Sequence, residues 1–236
     1  MIDERERRGL IARMEEVRDE LHRAAKSSGR DPKDVTLVAV SKRHPAKAVE
    51  ALFGAGQRIF GESYVQEARD KREALHALDI QWHFIGGLQS NKAKYVAGSY
   101  ALVHSVDSSK LVAALSRKAV ELGVVQDVLL QVNIAGEAQK SGVPEAGLPG
   151  LAETAEGLEG VRVLGLMAMP ALSQDPEDAR PVFARLRALQ EGLERRLGRK
   201  LPHLSMGMTD DFVQAVEEGA TLVRIGTRIF GARPPF

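Results

Sequence analysis

The sequence predicts an α/β fold: a single (β/α)8 barrel of the TIM type with an additional N-terminal helix. Eight short β-branched or aromatic runs recur along the chain, helical patterns separate them, and each run leads into a turn carrying Gly, Ser, Asn or Asp. Strands alternating with helices form parallel sheets, because each crossover needs about a dozen residues to return. Eight such units can close on themselves.

The elements follow in order. Between Ile2 and Lys26, the residues Leu10, Ile11, Met14, Val17 and Leu21 recur at three- and four-residue steps among charges, which predicts an amphipathic helix. Gly29 and Pro32 break it before the buried run VTLVAV. Strands are expected at 35–41, 58–61, 82–86, 101–106, 127–133, 162–167, 203–206 and 222–225. Helices are expected at 46–53, 64–78, 89–96, 109–122, 145–157, 176–197 and 210–218. An open doubly wound sheet would bind a dinucleotide through a glycine-rich first turn, whereas the first strand here runs into SKRHPA, without glycine. No repeat or linker divides the 236 residues, so one domain over 1–236 is expected, with 1–28 forming a helix packed on the barrel.

Composition narrows the function. With 33 Lys+Arg against 32 Asp+Glu, the formal charge of +1 supplies no field that would draw the chain to nucleic acid or anionic lipid. The absence of cysteine removes disulfides, thiolate metal sites and thiol nucleophiles. The opening MIDERERRGLIARMEE lacks the apolar core of a signal peptide, and no apolar stretch of about 18 residues occurs. A soluble, cytoplasmic protein without membrane contact is expected. No HExxH, close histidine pair or carboxylate cluster at strand ends suggests a metal.

In a barrel the C-terminal strand ends form the active face. The first strand delivers Lys42 to that face, half sheltered by barrel walls and suited to attack a carbonyl, although taken alone it also reads as an exposed loop lysine. The seventh strand runs into SMGMTDD, where Ser205 and Gly207 offer a hydroxyl and an approachable backbone, and Thr209 or Asp210 can cap the next helix. The eighth ends RIGTRIFG, where Gly226 and Thr227 repeat the combination. Barrels often bind phosphate at these two loops, while glycine and threonine are also ordinary turn residues. A phosphate cradle opposite a lysine suggests a phosphorylated carbonyl compound held as a Schiff base, with pyridoxal 5′-phosphate the foremost candidate. Arg224, two residues before Gly226, points by alternation into the same interior. A guanidinium only donates hydrogen bonds, so it would hold the cofactor's pyridine nitrogen unprotonated.

At these residues the chain resembles the pyridoxal phosphate homeostasis protein family, small relatives of the alanine racemase barrel. The resemblance is carried by LVAVSK, FGESYVQE, WHFIGGLQSNK, HSVDS, QVNIAGEAQKSG, GLMAMP and LSMGMTDDFVQAVEEGATLVRIGTRIFGAR, in that order and over nearly the whole chain. It implies an internal aldimine on Lys42, phosphate contacts from Ser205, Gly207, Gly226 and Thr227, and Arg224 at the pyridine nitrogen. It adds Met167 to the cofactor pocket, a residue that spacing alone reads as core. The chain departs from the family at Ser63, where asparagine is usual, and at Gly87, where histidine or proline is common. It departs again at Ala135 and Gln139, where small hydroxyl or polar residues are common. A shortened or water-bridged contact near strand two and a looser turn are the expected consequences.

A pyridoxal racemase needs two bases on opposite ring faces. Lys42 supplies one, and the chain ends at Phe236, ten residues after Gly226, which leaves no room for the additional domain that carries the second base in alanine racemases. His83, His203 and Tyr64 are internal substitutes, each with a structural explanation as well. The preferred reading is therefore a carrier or buffer that holds pyridoxal phosphate on Lys42, limits free aldehyde and releases it to apo-enzymes through transient contacts; the resemblance implies the homeostasis role, and a monomer is expected. A weak amino-acid racemase is the alternative, and a Schiff-base sugar-phosphate barrel enzyme a second one.

Overall fold

The computed structural model describes residues 2–137, 140–171 and 173–232; Gln139, Arg233 and Phe236 lie outside them. Strands β1 (Thr36–Val40), β2 (Ile59–Glu62), β3 (Gln81–Phe84), β4 (Leu102–Val106), β5 (Gln126–Asn133), β7 (Val161–Met167), β8 (His203–Ser205) and β9 (Leu222–Ile225) pair in parallel. The order β4-β3-β2-β1-β9-β8-β7-β5, with β5 pairing back onto β4, closes the sheet into the eight-stranded barrel expected from the alternation. The two-residue β6 (Val143–Pro144) adds to β5 outside that closure. Sequence periodicity missed it because two residues carry no period.

The helices are α1 (Glu4–Ser27), α2 (Ala46–Gly54), α3 (Val65–Ala74), α4 (Ser109–Glu121), α5 (Leu148–Glu156), α6 (Arg180–Leu197), α7 (Phe212–Glu217) and α8 (Thr227–Phe230). Helix α1 starts two residues later than its apolar pattern suggests, because the Asp3 carboxylate accepts the Glu6 N–H at 2.7 Å and caps it. Its stripe of Leu10, Met14, Val17 and Leu21 is buried against α2, α7 and α8. Arg13 donates to the Ile229 carbonyl at 2.7 Å and so ties α1 to α8, at the mouth.

Four helical expectations need correction. Residues 89–96 form a short 3-10 turn (Ser90–Tyr95) rather than an α-helix. The 145–157 and 176–197 patterns each begin with a 3-10 turn, and the α-helix starts only where Pro149 and Pro181 enter its first turn. There the missing proline N–H has no intrahelical acceptor to lose. The 64–78 pattern stops at Ala74, as the chain turns inward through buried Leu75 toward β3.

Strand residues divide between two cores. The larger lies between the strands and the helices. The smaller gathers Val38, Ile59, Leu102, Leu129, Leu164, Met167 and Leu222 from six strands and fills the barrel lumen. On β7, Leu164 faces the lumen, Leu166 faces outward and Met167 faces the lumen again, which strict alternation forbids. A bulge explains it: the register against β5 runs Val128 to Val163 and then Leu129 to Gly165, skipping one residue of β7. Gly165 makes the bulge possible, since a Cβ there would lie 1.8 Å from the His203 carbonyl oxygen. Gly165→Ala is expected to lower the unfolding free energy by about 1–3 kcal/mol or more, read as a shift of the urea midpoint.

Candidate functional site

The mouth is the end at which all eight barrel strands finish. On β1 the inward face runs through Val38 and Val40, so Lys42, just beyond the strand, continues that face and stands half-buried at the mouth. On the neighbouring β9, Leu222 and Arg224 face inward, and Arg224 lies level with Val38. Gly226 follows beside Val40, where a Cβ would sit 3.2 Å from the Val40 carbonyl oxygen, so the bare backbone lets the chain pass close to β1. Helix α8 then begins at exposed Thr227, and its first N–H groups have no acceptor within the helix.

The loop after β8 is laced to β9. Met206 N–H donates to the Leu222 carbonyl at 3.1 Å, and Arg224 N–H donates to the Gly207 carbonyl at 3.0 Å. Gly207 adopts φ +89°, and a Cβ there would lie 2.5 Å from Ala215 Cβ. The expected capping by Thr209 or Asp210 is not found. Helix α7 starts later, at Phe212, and it is Asp211 that accepts the Met208 N–H at 2.6 Å to close the turn. Lys42, Gly207, Gly226 and Thr227 therefore cluster on three adjacent strand ends, β1, β9 and β8.

Beneath the mouth lies a polar chain whose connections the sequence did not reveal. Arg224, 4% exposed, donates from Nη1 to Ser205 Oγ at 2.5 Å and from Nη2 to the Ala168 carbonyl at 3.1 Å. Ser205 Oγ lies 2.8 Å from His104 Nδ1, and His104 Nε2 shares a 3.0 Å hydrogen bond with His83 Nδ1. Among the described residues no carboxylate forms an ion pair with Arg224, and burial lowers its pKa to about 10, with Asp211 opposing at longer range. Burial, reinforced by His203, pushes His83 down to about 3, and burial likewise takes His104 well below the usual imidazole range. The lumen thus carries a cation surrounded by neutral partners. The contact between residues 104 and 205 spans 101 positions of chain, and no local pattern announces it.

Met167 is fully buried in the lumen cluster, brought there by the bulge. Of the alternative bases, His83 is buried and bonded to His104, His203 starts β8 at the end opposite the mouth, and Tyr64 stands 46% exposed before α3. At the departures from the family pattern, a Cβ on Gly86 would lie 2.2 Å from the Ser63 carbonyl oxygen, so the loops after β2 and β3 pack backbone to backbone. Gly87 faces open space and Ala135 is exposed. Among the described residues, no group of three His, Cys, Asp or Glu could hold a metal.

This barrel and its mouth belong to a defined class: residues 14–234 match the family model described as alanine racemase, N-terminal domain. Pyridoxal phosphate homeostasis protein of Aquifex aeolicus is 44% identical over 221 residues, covering 94% of this chain and 97% of that protein. The Pseudomonas aeruginosa protein of the same name is 47% identical and covers 90% of this chain and 91% of its own length. The chain belongs to the pyridoxal phosphate homeostasis protein family. Among solved structures, PipY of Synechococcus elongatus PCC7942 with PLP bound has a TM-score of 0.80 at 39% identity, over 90% of this chain and all of that one. Alanine racemase from Corynebacterium glutamicum, at 18% identity and TM-score 0.67 over 93% of this chain and 61% of that chain, shares the fold alone.

Two outcomes follow from the lumen. Arg224→Met removes a buried cation without an acid partner, so it is expected to raise the unfolding free energy of the ligand-free protein by about 1 kcal/mol or more. The same change should weaken binding of an anionic ligand roughly tenfold or more; chemical denaturation and equilibrium binding check the two effects. His83 and His104 are neutral when folded and titrate near 6.5 when unfolded. Their contribution is therefore complete above pH about 6.5 and is lost as pH falls toward the folded values, by up to about 1.4 kcal/mol per unit for each. Urea midpoints of wild type and His83→Gln between pH 7.5 and about 5 should show the shallower slope in the variant.

Proposed function

We propose that this chain binds pyridoxal 5′-phosphate through Lys42 and takes part in intracellular homeostasis of that cofactor, as a carrier or buffer that supplies apo-enzymes and limits free aldehyde. What supports the reading above all is the pairing of a half-buried lysine at the mouth, Lys42, with a buried guanidinium that has no carboxylate partner among the described residues, Arg224 on the adjacent strand. The donor set fits the group. Such a cation calls for an anion, and two glycines bring bare backbone to the same strand ends. The names of the relatives and the cofactor in PipY point the same way and favour neither the racemase nor the sugar-phosphate enzyme.

Pyridoxal 5′-phosphate supplies an aldehyde that condenses reversibly with a primary amine and releases water. Lys42 provides that amine. Gly207, Gly226 and Thr227 offer N–H and hydroxyl donors to a phosphate; Ser205, fully buried and bonded to Arg224 and His104, keeps an O–H donor for it only when His104 Nδ1 carries the proton and donates to Oγ. Arg224, held by Ser205 and the Ala168 carbonyl, presents a donor to a ring nitrogen, and Met167 supplies apolar packing beneath. In this reading residues 1–236 act as one domain and one monomer in the cytoplasm, with 1–28 as its packed helix, and contacts with apo-enzymes are transient. Among the described residues no helix is long and apolar enough to cross a membrane.

Wild type mixed with pyridoxal phosphate should turn yellow and, after borohydride, carry one mass adduct on Lys42. Lys42→Ala should lose both signals completely. A wild type that stays colourless would overturn the reading, and solvent exchange of an amino-acid α-proton by wild type but not Lys42→Ala would replace the carrier with a racemase.

A further inference from the structure

Behind Lys42, on the outer side of β1, lies an ion cluster that the cofactor reading leaves unused. Glu62 ends β2, and Glu67 and Lys71 stand one helical turn apart on α3. Lys71 Nζ donates to the Ser41 carbonyl at 2.6 Å, to Glu62 Oε1 at 2.7 Å and to Glu67 Oε1 at 2.6 Å, which matches the three N–H bonds of an ammonium with three acceptors. Ser41 Oγ donates to Glu62 Oε1 at 2.7 Å. On the other side of Lys42, Arg43 N–H donates to the same Glu67 oxygen at 2.5 Å. The carbonyl before Lys42 and the N–H after it therefore both end on one cluster.

The backbone at this place is strained. Arg43 adopts φ +66°, and among the described residues it is the one non-glycine with positive φ. Lys71 and Glu62 have side chains 7% and 0% exposed, and Glu62 Oε2 is buried without a partner. Buried ions with an orphaned oxygen are a poor means of stabilising a fold, since apolar residues of similar volume commonly do as well or better. Holding a left-handed turn in one geometry is a task for which such directional bonds are suited.

We propose that Glu67 and Lys71, braced by Glu62, are positioning residues for Lys42: they clamp the peptide groups on both sides of it and so aim its amine into the mouth. The inference rests on the reading of Lys42 as the amine that holds the cofactor's carbonyl. Glu67 is the partly exposed member of the cluster and the place to perturb it.

The test compares wild type, Glu67→Ala and Glu67→Gln, whose amide oxygen still accepts both bonds. Amide exchange at Arg43 is read on the ligand-free proteins, and the yellow band is followed by dialysis and by pH titration on proteins mixed with pyridoxal phosphate. Glu67→Ala should exchange the Arg43 amide at least about tenfold faster, retain pyridoxal phosphate about tenfold less tightly and shift the pH midpoint of the band. Glu67→Gln should stay within about threefold of wild type in each. If Glu67→Ala does not fold, the pair Glu62→Gln with Lys71→Met removes the inner charges together and frees the Ser41 carbonyl; it should show the same loss of retention and shift of the band, and unchanged retention and band there would overturn the clamp. Unchanged retention and band despite faster exchange at Arg43 would overturn the clamp, as would unchanged exchange, or a Glu67→Gln that fails as fully as Ala. A colourless wild type overturns the cofactor reading itself and the clamp with it, an outcome that the ligand-free exchange data keep distinct from failure of the clamp alone.

Discussion

A closed parallel barrel has an inside that every second strand residue must enter, and the lumen of this one has to accommodate the guanidinium of Arg224 without a carboxylate. Most of what surrounds it answers that constraint. Ser205 accepts one of its N–H bonds, the Ala168 carbonyl accepts another, and His104 and His83 stand behind Ser205 as neutral imidazoles because burial denies them a proton. An acid in place of either histidine would neutralise the arginine internally. With neutral partners, the positive charge stays available to whatever anion enters from the mouth.

The mouth is supported from outside the lumen. Helix α1 reaches α8 through Arg13 and the Ile229 carbonyl, so the amphipathic helix ahead of the barrel steadies the segment that begins at Thr227. The loop after β8 is held by the Arg224 and Met206 N–H groups, and the turn after β1 by the ion cluster of Glu62, Glu67 and Lys71. Both sides of the mouth are thus fastened by backbone hydrogen bonds to groups that do not face the lumen.

Much of this arrangement is legible in the chain. The β-branched runs mark all eight barrel strands to within a residue or two at their ends, and the two-residue spacing of Arg224 from Gly226 puts Arg224 on the inward face of β9 with Gly226 just beyond the strand end. Other features are not legible. The His83–His104–Ser205–Arg224 chain joins four strands, and each member taken alone reads as a core polar residue. Lys71 reads as a solvated helix charge until α3 is docked over Ser41 and Glu62. The 145–157 and 176–197 patterns run through Pro149 and Pro181, whose missing N–H favours the first turn of each α-helix.

By itself, the sequence determined the repeating strand–helix unit, the helix that precedes it and the delivery of Lys42 and the two glycine loops to one end. Those follow from local periodicity and from the rule that parallel strands all finish on the same side. Only the tertiary structure decided which way Met167 faces and what Arg224 touches. The direction of Met167 turns on a bulge made where Gly165 passes against the His203 carbonyl, and the partners of Arg224 come from β8 and the chain beyond β7. Register shifts and contacts across a closed lumen arise from pairing between strands distant in sequence, and the period of any one strand carries no record of them.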